Sequence, residues 1–282
     1  MKKSLIYLLT IMMMLPLLLA GTQTDLDKRG LKGRVKSLED ENHVYYFNES
    51  GFLSGESYDY MDYFGDVYYS YDAQGHLSYM EDEDYYEGVI YAEAYEYNDQ
   101  GLLIKQEISD YRSNTVFRFS YDAKGNLSKK EELDSANNLL SYYEYQNDAN
   151  GKQIKSSFYK ADKTLAEYTE YKYDAKGNKT EEIRFSSDKK LKNRYVYTYS
   201  AKGLKISETG YGPDGKIYSV SLAYDVNGNE VEYVHTDAKT NKVTKTITGY
   251  VYDEKGNWTE KTTAVDLNDK ETVTRSLRYY ED

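Results

Sequence analysis

The sequence predicts an all-β protein: an antiparallel β-meander of about 19 strands, built from nine hairpin repeats of about 25 residues in one strongly twisted or rolled sheet. Three observations carry this. The hexapeptide YDAKGN stands at residues 121–126 and again at 173–178. Its glycine recurs as Gly51, Gly75, Gly101, Gly125, Gly151, Gly177, Gly203, Gly228 and Gly256, at separations of 24, 26, 24, 26, 26, 26, 25 and 28 residues, which marks a repeat architecture. Ahead of each glycine, mostly aromatic residues two apart flank a small or polar one. That period of two belongs to a strand, and the three-and-four spacing of an amphipathic helix is missing.

The chain begins with Lys2 and Lys3 ahead of an apolar run from Leu5 to Leu19 that ends at Ala20, the pattern of a secretory signal peptide. A membrane-spanning helix needs roughly 20 apolar residues, whereas this run is short and is interrupted by Thr10 and Pro16. The expected division is therefore a signal peptide at 1–20, a short linker at 21–30 and a single array at 31–282. No later stretch approaches spanning length, so no stable membrane insertion is expected after cleavage. The expected location is outside the cytoplasm: periplasm, cell surface or extracellular medium.

The absence of cysteine excludes a disulfide framework, a thiolate metal site and a cysteine nucleophile. Without Lys2 and Lys3 the chain holds 34 basic and 48 acidic residues, a net charge of about −14 that is not gathered in a tail. Such a field repels nucleic acid and anionic lipid, so neither is expected as a partner. The chain has 35 Tyr against 7 Phe and 1 Trp. So many aromatic residues argue against disorder, and so many hydroxyls argue against a dry core.

Within each repeat, Asn48, Asp72, Asn98, Asp122, Asp148, Asp174, Ser200, Asp225 and Asp253 stand three before the glycine. Each has a side chain that accepts backbone hydrogen bonds at the start of a tight turn, and glycine three residues later accepts the left-handed conformation. Asp122 with Gly125, Asp174 with Gly177, Asp225 with Gly228 and Asp253 with Gly256 are the expected structural turns. Position −4 from the glycine is Phe47, Tyr71, Tyr97, Tyr121, Tyr173, Tyr199, Tyr224 or Tyr252, with Asn147 the exception. Position −6 is aromatic too, except for Leu222. Each period continues as a second strand, for example Lys179 to Phe185, and a second polar turn such as Asp134–Asn138 or Ser187–Lys190. An opening strand is expected at Arg34 to Leu38, and the chain stops after Leu277-Arg-Tyr279, where another turn would begin.

Tyr-Asp-x-x-Gly-Asn, complete at 121–126, 173–178, 224–229 and 252–257 and degenerate elsewhere, resembles the YD repeat of the RHS family of bacterial surface and secreted proteins. The likeness covers residues 45–282. It implies an antiparallel sheet that in large relatives spirals into a hollow shell around a toxin domain, and in some relatives an association with carbohydrate. The first three glycines depart from the pattern, being followed by Phe52, His76 and Leu102 in place of Asn.

Little points to catalysis. His43, His76 and His235 fall in different registers, and no serine sits in a G-x-S-x-G elbow. Glu81 to Asp84, with Asp59, Asp62 and Asp66, offers oxygen ligands to calcium, but a solvated hairpin tip accounts for the same residues. No metal and no cofactor is expected. The functional candidate is the tyrosine face of the regular registers, Tyr171, Tyr173, Tyr195, Tyr197, Tyr199 and Tyr224, where phenol rings stack on sugars or on partner side chains. The expected function is an exported, non-enzymatic binding or scaffold protein of the bacterial envelope, recognising a glycan or an envelope protein. The alternative is a purely structural remnant of an RHS-type shell, and an envelope glycosidase ranks below both.

Overall fold

The chain reverses at each anchored glycine through one local device. At Gly177 the backbone takes φ +88°, the left-handed region where a Cβ is costly, and the other eight anchored glycines also have positive φ. The Asp174 carboxylate accepts the N–H groups of Lys176 and Asn178, both at 2.9 Å, and the Asn178 side-chain amide at 2.9 Å. The same set surrounds Asp122. Asp225 and Asp253 likewise each accept two backbone N–H groups. These bonds favour the ionised carboxylate, and they hold Asp122 and Asp174 below the ordinary carboxylate range.

A computed structural model of the chain describes residues 24–281 except 61, 62, 112, 267 and 268. The expected signal peptide lies outside the described residues. The strands entering the turns are β2 (His43–Phe47), β4 (Tyr63–Tyr71), β6 (Gly88–Tyr97), β8 (Asn114–Tyr121), β10 (Leu139–Asn147), β12 (Leu165–Tyr173), β14 (Leu191–Tyr199), β16 (Gly215–Tyr224) and β18 (Val243–Tyr252). Those leaving them are β3 (Leu53–Tyr60), β5 (Leu77–Asp84), β7 (Leu103–Asp110), β9 (Leu127–Asp134), β11 (Gln153–Lys160), β13 (Lys179–Ser186), β15 (Lys205–Gly212), β17 (Glu230–Asp237) and β19 (Trp258–Val265). Before them come the helix α1 (Asp25–Lys28) and β1 (Val35–Glu39), and after them β20 (Asp269–Thr274) and β21 (Ser276–Tyr279). Helix α1 falls inside the stretch expected as a linker.

The result is one antiparallel sheet of 21 strands rather than about 19. The two additional strands are halves of the final strand, which breaks at Arg275. Each strand pairs with its sequence neighbours from β1 to β20, and β21 pairs with β1 through Val35–Tyr279 and Glu39–Ser276. The hydrogen-bonded circuit thus returns to its start, and the sheet is rolled into a nearly closed, barrel-like form.

The face bearing positions −4 and −6 is the more enclosed one. Tyr171, Tyr173, Tyr197 and Tyr199 are half-buried, while Lys172 and Thr198 between them are exposed. Helix α1 docks on this enclosed face: Leu26 and Leu31 form a buried cluster with Val35, Leu38, Phe47 and Leu53. Thr24 caps the helix, and the Asp25 carboxylate accepts the Leu53 N–H at 2.8 Å and the Tyr71 hydroxyl at 2.9 Å.

The two ends of the chain rebuild a further turn between them. Gly33 has φ +82°, and Tyr280 donates its N–H to the Arg34 carbonyl at 2.9 Å, as Asp253 does to Asn257 at 2.8 Å. Val35 opposes Tyr279 as Trp258 opposes Tyr252. Asn257 ties this turn to its neighbour by accepting the Lys32 N–H at 2.7 Å and donating to the Lys32 carbonyl and the Tyr279 hydroxyl, both at 2.8 Å.

Candidate functional site

Six of the position −4 hydroxyls do one repeated job, whereas Tyr252 donates to the Asp225 carboxylate and accepts from the Asn229 side-chain amide. The ladder between β11 and β12 stops at Lys155–Glu170, two residues short of Gln153. Tyr173 fills the gap by donating to the Gln153 carbonyl at 2.7 Å. Tyr71, Tyr97, Tyr121, Tyr199 and Tyr224 donate in the same way to Leu53, Leu77, Leu103, Lys179 and Lys205, at 2.7 to 2.8 Å. Asn147, the exception in the sequence pattern, places its amide on the Leu127 carbonyl at 2.9 Å and so keeps the bond without the ring. A buried carbonyl without a partner is costly, which is why asparagine can replace tyrosine at this position; Phe47, the one residue here without a donor, packs instead into the buried cluster beside β1.

The structure places the six sequence-derived tyrosines on one face without stacking Tyr171 on Tyr197. β13 intervenes, so Glu182 opposes both Tyr171 and Tyr195, and Glu208 opposes Tyr197. Lys179 pairs with Glu182 at 2.5 Å and lies 5.5 Å from the ring centres of both Tyr171 and Tyr197. Lys205 pairs with Glu208 at 2.7 Å and lies 5.6 Å from Tyr197. Burial opposes ionisation of Glu208, but hydrogen bonds from Lys205 and Tyr218 outweigh it and hold the carboxyl below its ordinary range. Burial, then Glu182 and Glu208, push the Tyr197 phenol up. Tyr171 shares a hydrogen bond with Ser156 at 3.0 Å. Ring, carboxylate and lysine together make the wall polar yet packed.

The acidic run Glu81–Asp84 is divided by strand alternation. Asp82 and Asp84 face the enclosed side: Asp82 accepts the Tyr58 hydroxyl at 2.8 Å, and Asp84 is buried and caps the turn through the Tyr86 N–H at 2.8 Å. Burial pushes Asp82 above its ordinary range. Glu81 lies outside, against the Tyr79 hydroxyl at 3.0 Å. Among the described residues no group of three or more His, Asp or Glu side chains is placed to hold a metal ion. His43, His76 and His235 stay in separate registers; His76 takes the role of the turn asparagine, with Nδ1 2.9 Å from Asp72.

Sequence reasoning missed the outer face of β2 to β5, where Tyr46, Tyr68, Tyr79 and Tyr85 are exposed. The signal lay in the alternate positions: most are small or polar, but Tyr46 and Tyr68 add rings to the face opposite positions −4 and −6.

No protein-family model and no curated protein matches the chain. Similar solved structures include TcdB2-TccC3 without its hypervariable C-terminal region, at 16% identity over 82% of this chain, with a TM-score of 0.44. TcdB2-TccC3-Cdc42 matches at 15% identity over 78% of this chain, with a TM-score of 0.44. This chain spans 13% and 14% of the length of those chains. A porin-like protein from Bacteroides uniformis matches at 12% identity over 88% of this chain and 98% of its own, with a TM-score of 0.36. No helix among the described residues is long and apolar enough to cross a membrane.

Proposed function

We propose that this chain is an exported, non-enzymatic scaffold protein of the bacterial cell envelope, with YD-type repeats of the RHS kind rolled into a self-supporting wall. The observation that carries this reading is the hydroxyl-to-carbonyl bond repeated at position −4 and preserved at Asn147 by a different side chain. The tyrosines act first as fasteners between repeats. Their abundance then needs no ligand to account for it.

A second reading, recognition of a glycan or an envelope protein through Tyr171, Tyr173, Tyr195, Tyr197, Tyr199 and Tyr224, draws on the partial exposure of these rings. One experiment separates the two. The mature protein, expected to begin near Gly21 by mass spectrometry of the exported fraction, is applied to a glycan array and to an envelope-extract pull-down beside folded Tyr197→Ala. The scaffold reading expects the same result for both proteins. Capture that falls about tenfold in Tyr197→Ala and returns in Tyr197→Phe supports recognition through this face instead.

A further inference from the structure

Tyr46, Gly55 and Tyr68 oppose one another directly across β2, β3 and β4, so all three stand in one row on the outer face. The two ring-bearing positions are separated by two strand spacings, about 9.6 Å, and the glycine between them keeps the floor low. The rings are 43% and 46% exposed. In the adjoining row Asp66 opposes Ser57 and accepts the Tyr68 hydroxyl at 3.4 Å and the Tyr85 hydroxyl at 3.2 Å. Glu81 opposes Tyr68 on its other side. The Tyr68 and Tyr85 hydroxyls are thus turned onto one carboxylate, leaving ring faces and carboxylate edges side by side.

Elsewhere the chain completes this arrangement with its own cations. Lys205 joins Tyr197 to Glu208, and Lys129 lies 4.8 Å from the Tyr142 ring and 2.6 Å from Glu131. On the outer face of β2 to β5 it has none to offer. Residues 37–104 contain seventeen Asp and Glu and no Lys or Arg, whereas residues 105–282 contain twenty-nine of each sign. Among the described residues no cation lies over Tyr46, Tyr68 or Tyr79. The net negative charge of the molecule is therefore concentrated in the stretch that carries these exposed rings, and a complementary group has to come from a second molecule.

We propose that the outer face of β2 to β5 is a docking surface for an arginine-rich segment of a protein partner. A planar guanidinium both stacks on a phenol ring and pairs with a carboxylate through two N–H groups, whereas an ammonium offers only a point charge. The surrounding field steers such a segment to the surface and fades with salt.

The test uses the mature protein and fluorescein-labelled nona-arginine, followed by anisotropy at low and physiological salt. The expected results are salt-sensitive binding, weaker binding of nona-lysine, and a loss of about tenfold or more in the Tyr46→Ser, Tyr68→Ser double variant. That variant changes no charge, and both positions are exposed enough for its melting curve to match the parent. The corresponding Tyr→Phe double variant should bind as the parent does. Asp66→Asn, which keeps both rings, should weaken binding several-fold and supplies the readout should the serine variant unfold. Undiminished binding by the folded serine variant would leave only diffuse charge attraction and overturn the proposal. So would absence of binding, or tyrosine-dependent binding of a neutral oligosaccharide with none of nona-arginine.

Discussion

The wall from Gly101 to Gly203 and the seam where β21 meets β1 are neighbours in one sheet, but they are held by different physics. In the wall each strand is joined to the next by a covalent turn, and ladders, capped turns and tyrosine fasteners suffice with few fully buried apolar side chains. In the seam no covalent turn joins the partners. There the chain gathers its buried apolar cluster, Leu26, Leu31, Val35, Leu38, Phe47 and Leu53. Covalent connection limits the entropy cost of pairing adjacent strands. Where it is missing, apolar burial takes its place.

The largest effect expected from this contrast is at Phe47, 2% exposed within the seam cluster. Phe47→Ala should destabilise by about 3–5 kcal/mol through lost transfer energy and a residual cavity, read as a lower urea midpoint. A loss no greater than that of a wall tyrosine would remove the distinction between the two regions. Second comes Gly177→Val in the wall, expected to cost roughly 1–3 kcal/mol because a β-branched residue resists positive φ. Lys176→Val beside it should cost little, and equal thermal losses for the two would contradict the role assigned to the glycine. The smallest effect is Tyr173→Phe, expected to cost about 1 kcal/mol by removing the donor to the Gln153 carbonyl. Asn147→Leu should cost at least as much at Leu127, and hydrogen exchange should place both losses near the altered turn.

The wall was legible because its determinants recur: a left-handed glycine, a carboxylate three residues earlier and rings on alternate positions repeat often enough to be read without coordinates. Asn147 looked like a defect in that pattern, since side-chain class was visible and hydrogen-bond function was not. The seam was far less legible. Leu26 is a single apolar residue in a polar stretch, and the pairing of Val35 with Tyr279 joins segments with no local signal between them. Lys32-Gly33-Arg34-Val35 does echo Lys255-Gly256-Asn257-Trp258, but the Tyr-Asp that announces a turn is supplied from the other end of the chain as Tyr279-Tyr280. The proposed docking surface was half visible. Counting charge over the whole chain obscured that one stretch holds none of the compensating Lys or Arg, and only strand pairing shows that Tyr46, Gly55 and Tyr68 share a row.

The turn shared between Gly33-Arg34 and Tyr279-Tyr280 has a consequence for assembly. Its two halves form a complementary donor and acceptor pair of edges, and nothing in their chemistry requires both to belong to one molecule. Opened at this point, one copy would present a β1 edge that fits the β21 edge of the next, and the same bonds that close a ring would then propagate a filament. Tethering favours the ring, because two edges on one chain meet without the concentration dependence of an encounter between copies. On this reasoning the seam cluster around Phe47, by stabilising the closed ring, also disfavours exchange of the junction between copies.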